Sequence, residues 1–256
     1  MHVGTGNCWV TNGALVAVLC SGLAAQQAST AGATSLDAIV QGMQAAQSAM
    51  RVQGSYQIVR EYRLSSATDS KSDSEVVAEI NFRPPSHRDY TIQHSSGSSR
   101  GPQLVRRILD HEVEITSKDN PATRAISPAN YGFSYMGEAM LDGHACYLLR
   151  IKPRRVETDL ISGQAWIDKH SFLIRQVDGE AEKTPSWWLK TVHIKLTFTD
   201  LDGAWVQKSM EAVADVRMVG AHTLTSRILD YRREHVVAAS SLSESSVPTP
   251  VNRPSR

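Results

Sequence analysis

Three groups of residues in this chain have types and spacings that could carry chemistry. Gly97, Ser99 and Gly101 spell the G-x-S-x-G of a hydrolase elbow, in which a strand-to-helix turn exposes a nucleophilic serine. Such an elbow needs a parallel sheet with alternating helices, and the flanking sequence reads antiparallel. The stretch from Ser95 to Gly101 is SSGSSRG, and turns of that composition produce the same letters by chance. A serine hydrolase using Ser99 is therefore the least favoured function. His111-Glu112 begins H-E-x-x-H, but Ile115 stands where the second histidine must be. A zinc ion would lose one of the two ligands that this helical spacing provides. Asp110, His111, Glu112 and Glu114 read instead as a solvated face. With no glycine-rich phosphate loop either, the expectation is a protein that is not an enzyme and uses no cofactor or metal.

The third group is apolar. Val192, Ile194, Leu196 and Phe198 alternate with Thr191, His193, Lys195, Thr197 and Thr199. That period of two gives a strand one dry face and one wet face. Val206, Met210, Ala212, Ala214, Val216 and Met218 follow, mixing small side chains with adaptable methionines. Such a surface makes and breaks no bonds, but it can solvate a greasy ligand. The expected lining of an apolar cavity is Val192, Ile194, Leu196, Phe198, Met210 and Met218.

The elements that must present this lining are mostly strands. Ser35 or Asp37 caps a helix running to about Met50, with Leu36, Ile39, Val40, Met43 and Ala46 on one stripe. Tyr56, Ile58, Tyr62 and Leu64 alternate in a first strand. Val76 to Phe82 forms a second, interrupted by Pro84-Pro85 and resumed from Arg88 to His94. Pro102 opens a short helix containing Leu104, Val105, Ile108 and Leu109. After Asn120-Pro121 the chain is nearly all strand, with Tyr131, Phe133, Tyr135, Ala139 and Leu141 expected on one face. Turns at Asp142-Gly143, Lys169-His170, Asp202-Gly203 and Gly220 are short, so neighbours are antiparallel. The expected class is α+β: a strongly curved antiparallel sheet, an unclosed barrel, with one or two helices over its concave face. Two short helices are little cover for about ten strands, which leaves room for a ligand.

Composition sets the setting. The chain has 256 residues, 27 basic and 26 acidic, and no basic run interleaved with aromatics, so nucleic acid is not an expected partner. No Asp, Glu, Lys or Arg occurs before Asp37, and Gly13 to Ala25 is an apolar run of signal-peptide length. Residues 1–28 are expected to be a signal peptide, residues 29–235 one domain, and the Ser/Pro-rich residues 236–256 a disordered tail. Cys8 and Cys20 fall in the leader, which leaves Cys146 with no disulfide partner. Leu19 before Cys20 is too bulky for a lipid-anchor site. A monomeric exported protein, soluble and not lipid-anchored, is expected.

Read in order, these segments resemble the LolA-like lipoprotein-sorting proteins of the bacterial periplasm. The resemblance rests on Phe82-Arg83-Pro84-Pro85 followed by a strand and a Ser-x-Gly turn at Ser95 to Gly97. It continues in Tyr147 to Pro153 (YLLRIKP), in the Trp-Ile-Asp of residues 166–168, and in Pro185-Ser186-Trp187-Trp188 with a final Leu229-Asp230-Tyr231-Arg232. What the resemblance implies is an unclosed barrel around an apolar cavity and a periplasmic carrier that shields acyl chains of a lipoprotein or lipid, with Arg83 as a lid-closure residue. It also implies an alternative: a periplasmic sensing or regulatory module that contacts a membrane-associated protein partner.

Overall fold

The computed structural model describes residues 34–50, 54–67, 73–84, 87–118, 123–184, 186–218 and 220–233. The expected leader and tail lie outside the described residues. Ten strands form one sheet: β1 (Tyr56–Ser66), β2 (Ser74–Arg83), β3 (His87–Gly97), β4 (Tyr131–Leu141), β5 (His144–Pro153), β6 (Ile161–Asp168), β7 (Ile174–Ala181), β8 (Leu189–Leu201), β9 (Ala204–Val216) and β10 (Gly220–Arg233). Their order is β3-β2-β1-β10-β9-β8-β7-β6-β5-β4, and every pairing is antiparallel. β3 and β4 stand at opposite edges without pairing, so the curved sheet is an unclosed barrel.

The curvature has local causes. Six register shifts interrupt the ladders, and each extra residue bends its strand and increases its twist. Gly163 and Gly179 face each other across β6 and β7; a Cβ on either would lie 2.2 or 2.3 Å from the opposite carbonyl oxygen. Only glycine permits that approach, and such pairs mark tight bends.

Two helices cover the concave face. α1 (Leu36–Ala49) is capped by Ser35, whose Oγ accepts the Ala38 amide at 3.2 Å. Its Ile39 and Met43 enter a core with Tyr147, Leu149 and Ile151 of β5, Ala165 and Ile167 of β6, and Val177 of β7. Phe172 of the β6–β7 turn stacks on Tyr147 at 6.1 Å, and it sits so close to Gly42 that a Cβ there would be 2.5 Å from the ring. α2 (Arg100–Lys118) packs Val105 and Leu109 on Tyr62, Val76, Ala78 and Ile80. The two cores are separate but share a face: Leu196 packs on the first, Met210 on the second, and the two are cross-strand partners.

Two sequence expectations are corrected. The second helix is not short: it runs for 19 residues, through the Asp110–Glu114 segment, because its apolar stripe is continued by charged side chains that reach partners. Arg88 of β3 pairs with Glu112 at 2.6 Å, and Tyr90 Oη donates to Asp110 at 2.6 Å. In β4, Ala139 and Leu141 do not share a face with Tyr131, Phe133 and Tyr135. A bulge between Tyr135 and Gly137 adds one residue and inverts every later side chain.

Candidate ligand-binding site

Tyr56, Ile58, Arg60, Tyr62 and Leu64 alternate along β1, and their β2 partners Ile80, Ala78 and Val76 belong to the core. Arg60 therefore points at the concave side, and it is only 7 % exposed. Its guanidinium donates to Ser226 Oγ at 3.1 Å and to the Gln207 carbonyl at 2.6 Å. Both acceptors are uncharged. Burial pushes the Arg60 pKa below its ordinary value, because the charged form has lost water without gaining a direct carboxylate. Burial pushes the Tyr56 and Tyr62 hydroxyls up, so both stay protonated and able to donate.

These groups line a cavity of about 280 Å³, together with Arg88, Glu112, Trp205 and Met210. Trp205 is fixed by its indole N–H, which donates to the Ile174 carbonyl at 2.9 Å, and by Arg175 over its ring. The Arg88–Glu112 pair links β3 to α2 beside the cavity. Farther along α2, His111 Nε2 lies 3.4 Å from Asp159, which Arg124 also holds at 3.0 Å. Asp159 belongs to the β5–β6 connection, so α2 is tied to both arms of the curved sheet.

The expected lining residues are distributed along this seam. Val192, Ile194, Leu196 and Phe198 are half-buried in β8. Leu196 and Phe198 pack against the α1 core, whereas Ile194 stands opposite Ala212 of the α2 side. Met210 lines the cavity. Met218 is elsewhere: it sits in the turn after β9 at φ 71°, fully exposed. The turn ends the alternation that had placed it on the dry face. Arg83 is also elsewhere. Its side chain is 56 % exposed at the end of β2, 3.8 Å from Asp89 of the neighbouring β3. Arg60, which β1 buries, was missed. Its signal was present, since an arginine occupied an even position between Ile58 and Tyr62.

The two glycines of the G-x-S-x-G, Gly97 and Gly101, and Ser98 between them have structural tasks. Gly97 takes φ +80° where a Cβ would strike the Asp73 carbonyl at 2.2 Å. Ser98 Oγ accepts the Arg100 amide at 3.3 Å at the start of α2, and Gly101 lets that helix settle on Ser74. Among the described residues, no cluster of His, Cys, Asp and Glu could hold a metal ion. No described helix is long and apolar enough to cross a membrane.

Residues 40–233 match the profile of a family of unknown function, DUF5686, and the chain belongs to that family. No curated protein matches it. Solved structures similar to it include a putative outer membrane lipoprotein-sorting protein domain from Vibrio parahaemolyticus, at 14 % identity and TM-score 0.40, covering 80 % of this chain and 94 % of that one. A DUF1329 family protein from Desulfovibrio piger is similar at 14 % identity and TM-score 0.44, covering 83 % and 98 %. A LolA superfamily protein from Nitrosomonas europaea is similar at 9 % identity and TM-score 0.40, covering 77 % and 94 %. The resemblance read from the sequence, to LolA-like proteins, recurs among these structures.

Proposed function

We propose that this DUF5686 member is a periplasmic carrier that holds the hydrocarbon of a lipid or acylated lipoprotein along the seam between α1 and α2. The observation that supports this reading is an apolar strip on the concave face that is only partly covered. Val192, Ile194, Met210 and Ala212 are half-buried there, along the junction of the two cores. Burying a methylene contributes about 0.8 kcal/mol, so eight methylenes laid on this strip contribute on the order of 6 kcal/mol. No covalent step is part of this role. Binding of an uncharged alkyl probe, hexadecanol, followed by native mass spectrometry, tests it. The chain should retain hexadecanol, and Ile194→Asp should abolish retention while the protein stays folded. Absence of binding, or unchanged binding by Ile194→Asp, would refute the carrier.

A second reading, a sensing module with a membrane-associated protein partner, is favoured by one feature. Trp187 is 85 % exposed beside Trp188 and Met218. Arg217 joins their two loops: its amide donates to the Trp188 carbonyl at 2.9 Å and its Nε to the Trp187 carbonyl at 3.1 Å. A photo-crosslinker at position 187 in cells separates the roles. One stable protein adduct favours the module; lipid adducts alone favour the carrier.

A further inference from the structure

We infer that the cavity beside Arg60 is an anion site, which takes the carboxylate or phosphate at the end of a hydrocarbon chain bound in the seam. This inference rests on the carrier reading and names the ligand class: a single-chain amphiphile with a negative head.

The charge pattern points to an anion. Arg60 and Arg88 both line the cavity, and among the described residues Glu112 is the one carboxylate lining it with them. The lining is thus left one positive charge in excess. Glu112 is engaged with Arg88 at 2.6 Å, and among the described residues the hydrogen bonds of Arg60 go to the Ser226 hydroxyl and the Gln207 carbonyl alone. A guanidinium has five N–H donors, and two bonds to neutral oxygens leave donors for a planar, bidentate acceptor. A buried cation whose hydrogen bonds go only to neutral groups is under-compensated, which a ligand anion would offset.

The apolar part is in register with this charge. Met210 lines the cavity and pairs with Leu196, and Ala212 pairs with Ile194 one step along the seam. A chain whose head meets Arg60 thus has its hydrocarbon directed onto β8 and β9. The Tyr56 and Tyr62 hydroxyls, held protonated by burial, can donate to the same head. An anion that reached Arg88 would compete with Glu112 for it, so ligand entry would loosen the tie between α2 and β3.

The test compares heads on one chain length. Hexadecanoate, hexadecanol, methyl hexadecanoate and a palmitoyl lysophosphatidate are titrated against wild type, Arg60→Met and Arg88→Gln. Each is read by displacement of a neutral fluorescent alkyl probe. In wild type, at least one of the two anions should bind about tenfold or more tightly than hexadecanol, as expected for added charge-assisted hydrogen bonds. Arg60→Met should remove the preference for the anions, bringing the acid to the level that the alcohol reaches in the same variant. Arg88→Gln should weaken the anions several-fold. A preference for lysophosphatidate identifies a phospholipid as the source; a preference for hexadecanoate identifies a free fatty acid. Binding of both anions by wild type no more tightly than the alcohol and the ester overturns the anion site while leaving the carrier intact. Binding of none of them overturns the carrier itself. Should Arg60→Met fail to fold, the wild-type series and Arg88→Gln still decide.

Discussion

Under α1, the concave positions of β5 are Tyr147, Leu149 and Ile151, and all three are buried apolar side chains packed on Ile39 and Met43. Under α2, the same kind of strand, β1, presents Ile58, Arg60 and Tyr62, and a cavity opens beside them. The first arm spends its concave face on packing, and the Phe172–Gly42 contact locks the helix down. In the second arm a buried cation stands over an unfilled volume, and α2 is held partly by ion pairs, Arg88–Glu112 and His111–Asp159. Dense apolar contacts resist displacement, whereas exposed or half-exposed ion pairs contribute little and exchange readily. Both helices have buried apolar cores, but only α2 adds ion pairs to its core of Val105 and Leu109 beside a cavity; on the carrier reading proposed above, α1 would maintain the fold and α2 would control access to the seam.

Four substitutions sharpen this comparison, in decreasing order of effect. Ile151→Ala in the α1 arm should cost about 2–5 kcal/mol, measured by urea unfolding, because it opens a cavity in a filled core. Asp168→Asn should cost on the order of 2 kcal/mol at neutral pH. Burial alone would raise the Asp168 carboxyl, but the Ser171 and His170 amides and the Arg175 guanidinium outweigh it and hold it at about 2. Its folded value is depressed, so its contribution is present above the ordinary carboxylate range and is lost as pH falls from about 4 towards 2. Acid unfolding curves should show that this portion of the pH dependence disappears in Asp168→Asn.

In the α2 arm the expected stability changes are smaller and of either sign. Arg60→Met should leave stability within about 1 kcal/mol or raise it, since removing a buried charge offsets the two neutral acceptors, Ser226 Oγ and the Gln207 carbonyl, that lose their donor and leaves no unpaired charge behind. A loss as large as that of Ile151→Ala would make Arg60 a structural residue and erase the contrast between the arms. Asp159→Ala should change stability by less than about 0.5 kcal/mol yet speed release of a fluorescent alkyl probe several-fold, measured by stopped flow. Unchanged release would mean that the tie between α2 and the β5–β6 connection does not gate the seam.

Much of the fold was legible because its signals are local. Period-two alternation in β8, the Ser35 cap and the Asp202-Gly203 turn each announce themselves within a few residues. The bulge at Tyr135–Gly137 was not legible, since one inserted residue leaves the alternation intact on both sides and only reverses its phase. Met218 was misplaced for a related reason: a strand's alternation does not show where its turn begins. The site was harder still. Arg60 breaks the apolar pattern of β1 at a single position, and a lone arginine in a strand is ordinarily solvated. Its meaning depends on Ser226 and Gln207, more than 140 positions away along the chain, which only the closing of β10 and β9 against β1 brings near. Arg83 had the motif context but stands where the strand leaves the sheet.

The most direct test of the account is methyl NMR of the chain with 13C-labelled methionines, titrated with hexadecanoate. Met210 lies at the cavity and Met43 lies in the filled α1 core. The account predicts that the Met210 methyl shifts with saturation while the Met43 methyl stays in place. A shift of Met43 with Met210 unmoved would contradict it.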